Sequence, residues 1–265
     1  MERAGIEDPR DIPEYQALLV VDMKGYSRAP SHLMGAMRGD LDSMLATAMA
    51  ESGLGGEWHQ HGYWSDRGDG FLVAMPVSRL WRLVDPLPEN LENILARHDR
   101  ERFASTPEIR VRMSVHVGPL PESYRGHPIN DVCRLVDSDA AKSAVSRAQE
   151  LGSFVAVVIS DAVFQTVVRA RRTIRLRERD FLGVQAEVAE KFSERAWVHV
   201  PRRTPSELGE GAERLPEDVA QGSPVSGAGS AVPTPIRIDT ESVGNFIASP
   251  TGPLTFTQDF RRSGI

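Results

Sequence analysis

The run Ala17-Leu18-Leu19-Val20-Val21 carries no polar side chain and stops at a carboxylate, Asp22. With Tyr15 and Gln16 ahead of it the segment has the length of a strand, yet it lacks the alternation of a strand that faces water on one side. Residues 15–22 are therefore expected to be a central strand covered on both faces. A second carboxylate, Asp69, stands in Arg67-Gly68-Asp69-Gly70, just before another apolar run, Phe71-Leu72-Val73-Ala74-Met75. Residues 63–76 read as a hairpin with a Gly-Asp-Gly turn. Each aspartate sits where a buried strand meets a glycine, so a small ligand can approach the backbone closely.

The rest of the chain punctuates this frame. After Pro30, the residues Leu33, Met34, Met37, Leu41, Met44, Leu45 and Ala48 recur at helical spacing, and Gly53 marks the helix end. Residues 78–98 read as helix interrupted at Pro86 and Pro88. The clearest alternation follows: Ile109, Val111, Met113, Val115 and Val117 are apolar, with Arg110, Arg112, Ser114 and His116 between them. A helix is expected over 130–151, a buried strand over 154–159, a short helix over 161–169, and one or two closing strands near 184–200. Interleaved strands, hairpins and helices predict a mixed sheet.

Residues 1–13, with Pro9 and Pro13, read as an N-terminal arm, and 14–200 as the folded domain. Residues 201–235 turn to Pro, Gly, Ser, Glu and Ala without periodicity, a disordered linker with too little apolar surface to offset ordering entropy. Residues 236–265 scatter Ile236, Ile238, Val243, Phe246, Ile247, Leu254, Phe256 and Phe260 among Gly, Asn, Thr and Ser. This tail is expected to engage an effector or regulatory protein by strand addition or self-stacking, or else to be a disordered end or to fold back on the domain.

A net charge of −6, with no long basic run, argues against general nucleic-acid binding. The single cysteine, Cys133, excludes an intramolecular disulfide and a cysteine zinc cage. No apolar run reaches the roughly 18 residues of a membrane span, and the first residues lack a signal-peptide core, so a cytoplasmic protein is expected. Asp22 and Asp69 supply hard oxygen ligands suited to Mg²⁺ or Mn²⁺, ions that arrive with substrate phosphates; the pair points to phosphoryl chemistry on a nucleotide.

Four segments in order resemble the catalytic domain of class III nucleotidyl cyclases, over roughly residues 14–200: Asp22-Met23-Lys24-Gly25-Tyr26-Ser27, Gly68-Asp69-Gly70, Arg112-Met113-Ser114-Val115-His116-Val117-Gly118, and Gly126-His127-Pro128-Ile129-Asn130-Asp131-Val132-Cys133-Arg134-Leu135. The resemblance implies an α/β fold (α+β, ferredoxin-like) whose mixed, mainly antiparallel sheet carries packed helices. It implies that Asp22, Asp69 and the Met23 carbonyl hold two divalent ions, Mn²⁺ or Mg²⁺, per site. Backbone amides of Gly25, Tyr26 and Ser27 would take the triphosphate, Asn130 the ribose, Arg134 the charge developing at phosphorus, and Lys191 the terminal phosphates, although the glycine usual after that lysine is absent. It also implies a homodimer, because in the family the metal and transition-state residues of one site come from opposite protomers.

The base-reading positions depart from the purine cyclases: Ser65 and Ser123 stand where adenylate enzymes carry lysine and aspartate. Alternation puts Tyr63, Ser65 and Arg67 on one face of the hairpin, where Arg67 can donate to a base carbonyl. The altered pocket is similar to that of the pyrimidine cyclases of Pycsar antiphage systems, which implies UTP as favoured substrate and a cyclic nucleotide messenger in antiphage defence. The alternative is a cyclase-like nucleotide-binding or scaffold protein acting through its tail. His116 is expected to be structural and beside the site, Cys133 a small buried residue, Lys24 solvated, and Tyr63 and Trp64 either core, interface or base-stacking groups.

Overall fold

The computed structural model describes Asp8 and residues 10–59, 63–189 and 192–209. All of these lie in one unit, Met1–Asp218; a second unit, Val219–Ile265, lies outside the described residues, as do 210–235 of the expected linker, the tail 236–265 and Lys191. The strands are β1 (Tyr15–Met23), β2 (Tyr63–Asp66), β3 (Gly70–Pro76), β4 (Val111–Pro119), β5 (Val155–Ser160), β6 (Leu182–Val188) and β7 (Phe192–His199). They form one seven-stranded sheet in the order β2-β3-β1-β4-β5-β7-β6. Only β4 and β5 run parallel; every other neighbouring pair is antiparallel. The fold is the expected mixed, mainly antiparallel sheet with helices packed on it.

The helices are α1 (Ser31–Glu51), α2 (Gly55–His59), α3 (Leu80–Val84), α4 (Leu87–Glu101), α5 (His127–Asp137), α6 (Asp139–Glu150), α7 (Asp161–Val163) and α8 (Pro205–Leu208). The unalternating β1 run needs cover on both faces and receives it. Ala17, Leu19, Val21 and Met23 pack into a core with α1, α3 and α4. Leu18 and Val20 pack the other way, against Val132 and Val136 of α5. A third cluster seats α6 on β5, β6 and β7. Burial of each such Val or Leu contributes about 1.5–3 kcal/mol.

The sequence reading needs two corrections here. The single helix expected over 130–151 is two helices, α5 and α6, because Ser138 is extended (ψ 155°) and caps α6, its hydroxyl accepting the Ala141 amide at 3.2 Å. The fold also continues past Val200 into the stretch expected to be linker. Arg147 of α6 donates to the Glu207 carbonyl at 2.8 Å, and Arg203 to Ser153 Oγ at 3.1 Å. No helix among the described residues is long and apolar enough to cross a membrane.

Candidate active site

Asp22 stands at the end of β1 with Gly70 of β3 on one side and Arg112 of β4 on the other. Gly70 is demanded by this approach: a Cβ there would lie 1.8 Å from the Val21 carbonyl oxygen. The turn bearing Asp69 is fastened to β1 by the Met23 amide, which donates to the Asp69 carbonyl at 2.9 Å. Arg38 of α1 holds the same turn from outside, donating to the carbonyls of Gly70 (2.8 Å) and Gly68 (3.1 Å) and to the Asp66 carboxylate (3.1 Å). The two aspartates are thus brought together, as the sequence predicts.

Asp22 is almost wholly buried, and burial pushes its carboxyl up from 3.8 to about 6; Arg112 opposes that rise and the nearby Asp69 carboxylate adds to it. Arg112 Nε donates to Asp22 Oδ2 at 2.8 Å, and Nη2 bonds the same oxygen. Among the described residues no group of three or more His, Cys, Asp or Glu suits a metal ion. Even so the donors here fit a divalent cation of the Mg²⁺ or Mn²⁺ kind: two carboxylates close enough to repel each other, with the Met23 carbonyl next in sequence, leave room for water and phosphate ligands.

Past Asp22 the chain turns at Gly25, which has φ +74°, into a single 3₁₀ turn, Tyr26–Arg28. Arg28 and Ala29 donate back to Gly25 and Tyr26, whereas the amides of Gly25, Tyr26 and Ser27 meet no acceptor among the described residues. Tyr26 anchors the turn, its hydroxyl donating to the Met34 carbonyl at 3.1 Å. Lys24 is not freely solvated: its Nζ donates to Gln149 Oε1 at 2.7 Å and Ser146 Oγ at 3.2 Å on α6.

The other predicted residues are carried by α5 and the β2 hairpin. Asn130 is exposed on the first turn of α5, and Arg134 lies one turn on. Arg134 reaches Asp131 at 3.5 Å and sits over the Phe192 ring of β7, with Glu194 nearby. Since β7 is three strands from β1, or about 14 Å across the sheet, Arg134 and Asp22 are not brought together within one chain. Arg67 turns to the other side of α5, donating to Cys133 Sγ at 2.7 Å and approaching Asp137 at 3.7 Å. Cys133 is accordingly half-buried and hydrogen-bonded rather than a plain core residue. Ser65 is half-buried and Ser123 exposed; their neighbours Tyr63 and Tyr124 stack with centroids 4.8 Å apart. Trp64, on the opposite face, stacks on Phe71.

Comparison with family models gives no match, and neither does comparison with curated proteins. Among solved structures the chain is similar to the guanylate cyclase domain of RhGC from Catenaria anguillulae in complex with GTP, at 17% identity over 73% of this chain and 100% of that one, with a TM-score of 0.45. It is similar to a bacterial light-regulated adenylyl cyclase at 12% identity, over 75% of this chain and 56% of that one, with a TM-score of 0.48. The adenylyl cyclase CyaB from P. aeruginosa gives 11% identity, 71% and 95% coverage, and a TM-score of 0.42. Likeness at this level says nothing about activity, and the side chains themselves must carry a functional reading.

His116 of β4 stands against the start of α5, the helix that carries Asn130 and Arg134. It lies opposite Leu18, four residues along β4 from Arg112, and lines a cleft of 510 Å³ with Tyr15, His127, Pro128 and Asp131. Its Nδ1 is buried without a partner among the described residues, and burial lowers its pKa. Sequence reasoning missed Arg112 and Arg38. The alternation of β4 does place Arg112 on the Ser114 face, but only the pairing of β4 with β1 sets it against Asp22. Arg38 gives no local signal beyond Asp42 at helical spacing.

Proposed function

We propose that this chain is a nucleotidyl cyclase that converts a nucleoside triphosphate, UTP in preference, to a 3′,5′-cyclic nucleotide and pyrophosphate as a homodimer. The observation that carries the reading is the buried Asp22 beside Asp69, one step from a turn whose three amides lack acceptors among the described residues. When bound by Asp22, Asp69 and the Met23 carbonyl, two divalent ions supply Lewis acidity at the ribose oxygen and charge neutralisation at the phosphates. The amides of Gly25, Tyr26 and Ser27 bind phosphate oxygens. The ribose 3′-oxygen forms a bond to the α-phosphorus, the bond to the β-phosphate oxygen breaks, and the hydroxyl proton leaves to solvent. Asn130 orients the ribose and Arg134 takes charge at the α-phosphoryl oxygens, both from a second copy of the chain, because α5 turns Arg134 away from its own Asp22. Lys191 is assigned to the terminal phosphates.

Ser65 and Ser123 present hydroxyls where a purine edge needs charged partners, which supports a pyrimidine, and Arg67, here bonded to Cys133 Sγ, would turn from that partner to donate to the base. The resemblance to Pycsar enzymes supports a messenger role in antiphage defence. A second reading, a nucleotide-binding scaffold without turnover, draws on Arg112 closed over Asp22. Incubation of the pure protein with Mn²⁺ and each of the four ribonucleoside triphosphates, followed by mass spectrometry, separates the two. Cyclic UMP or CMP as the main product supports the proposal, cyclic AMP or GMP overturns the base assignment, and no cyclic product overturns the cyclase reading.

A further inference from the structure

The connection from β5 to β6 gathers positive charge on one small surface. Arg169, Arg171, Arg172, Arg175, Arg177 and Arg179 are all exposed, and within that stretch the one carboxylate is Glu178. Other residues separate the arginines, so no uninterrupted basic run marks them in the sequence. Only Arg169 forms an ion pair among the described residues, with Glu178 at 3.7 Å. The other carboxylates of the connection, Asp161 and Asp180, and Asp85 packed against it, are engaged elsewhere. Asp85 accepts the amides of Arg175 (2.6 Å) and Leu176 (3.2 Å), and Asp180 that of Arg177 (2.7 Å). Asp161 accepts the Trp197 indole at 2.8 Å and has Arg195 at 3.9 Å. Six guanidinium groups over these four carboxylates leave a positive surface on a chain whose net charge is −6.

The loop is held in shape from beneath. Arg171 lies in the left-handed region at φ 56°, and its amide and that of Arg172 close back on the Val168 and Val167 carbonyls at 3.0 and 2.8 Å. Thr173 is buried, its hydroxyl donating to the Leu176 carbonyl at 2.6 Å, and Leu176 packs on the main core. Between them Ile174 is left 56% exposed, with Arg172 and Arg175 on either side of it in sequence. An uncovered aliphatic side chain among guanidinium groups suits a surface that is anionic outside and apolar just beneath. A bilayer rich in anionic phospholipid has both, with phosphates for the arginines and acyl chains for the isoleucine. Single-stranded nucleic acid also offers phosphates, but its bases stack on aromatic rings; the loop exposes none, and Phe164 and Phe181 at its two ends are buried.

We propose that the Arg169–Arg179 loop is a docking surface for anionic phospholipid bilayers, with Ile174 inserted among the headgroups and the arginines on their phosphates. The contact is peripheral, since no helix among the described residues can cross a membrane. A loop fixed before contact loses little conformational freedom on docking. None of these residues belongs to the candidate active site, so docking and turnover stand or fall separately.

The test is cosedimentation of the full chain with vesicles of phosphatidylcholine alone, or with about one third phosphatidylserine, in low and high salt. The unaltered protein should bind the phosphatidylserine vesicles, more weakly in high salt, and leave phosphatidylcholine vesicles unbound. Each arginine near an anionic surface is worth about fivefold, so R172Q/R175Q should bind roughly tenfold to thirtyfold more weakly. I174S should lose several-fold. Thermal melts check folding; if R172Q/R175Q does not fold, R179Q carries the charge test, with about a fivefold loss expected and no loss overturning the proposal. No binding to phosphatidylserine vesicles, equal binding to phosphatidylcholine, or undiminished binding by I174S would each overturn it. So would single-stranded RNA binding, or self-association of the chain, that R172Q/R175Q abolishes while vesicles go unbound, because the partner would then be a nucleic acid or a second copy.

Discussion

One methyl group placed at two glycines should have opposite effects. In Gly70→Ala the new Cβ would lie 1.8 Å from the Val21 oxygen, 2.8 Å from its carbonyl carbon and 2.9 Å from Asp22 Cα. All three are backbone atoms of the central strand, so no side chain can swing aside and β1 must part from β3 by more than ~1 Å. Overpacking of that kind costs about 1–3 kcal/mol, and weakening the adjacent Met23–Asp69 backbone bond adds roughly 1 kcal/mol. A total of about 3 kcal/mol lowers the melting temperature by roughly 6–12 °C for a domain of this size. Cyclase turnover should fall about a hundredfold, since ~1 Å of displacement separates the two carboxylates. Gly39, exposed on α1, has no heavy atom within 4 Å of the point a methyl group would occupy, so Gly39→Ala should stabilise by up to about 1 kcal/mol. Paired thermal and urea melts of the two variants test this, with turnover measured alongside. Equal stability of the Gly70 variant and the unaltered protein would refute the reasoning, as would a comparable loss at Gly39.

Further outcomes follow from the same geometry. In metal-free protein, Asp22 has a folded pKa raised from 3.8 to about 6, so stability present at low pH is lost as pH rises through about 6. Asp22→Asn should remove that loss, about 3 kcal/mol once pH is above about 6; urea titrations in EDTA across pH 4–8 should show the difference from the unaltered protein growing up to about pH 6 and level beyond it, and a pH-independent difference would contradict it. Arg38→Ala strips three bonds from the Asp69 turn and should cost about 2 kcal/mol and most of the turnover, with Arg38→Lys intermediate in both melts and rates. Unchanged turnover in Arg38→Ala would show that the turn holds itself.

The parts of the molecule legible in the sequence are those whose cause is local. The run ending at Asp22 announces a strand covered on both faces, and β1 is in the middle of the sheet with helices on either side. Gly70 marks the hairpin that sets Asp69 beside Asp22. Ser138 looked like any helical residue, because its capping role depends on where the chain must turn from one part of the sheet to the next. Lys24 and Arg112 were opaque for a related reason: their partners are 122 and 90 residues away, so nothing nearby in sequence signals them. The separation of Arg134 from Asp22 was implied by the family resemblance rather than by any local feature of the chain, and the strand order gives its physical reason.

The central claim is that a complete site needs two copies of the chain, with Asp22 from one and Arg134 from the other. Asp22→Ala and Arg134→Ala should each be inactive alone. Mixed under conditions where subunit exchange is verified, they should recover activity, because one of the two sites in a mixed dimer keeps both residues while the other carries both lesions. Recovery approaching a quarter of the unaltered rate, half of the dimers each with one working site of two, is the predicted result. Verified exchange with no recovery above the single variants would contradict the account.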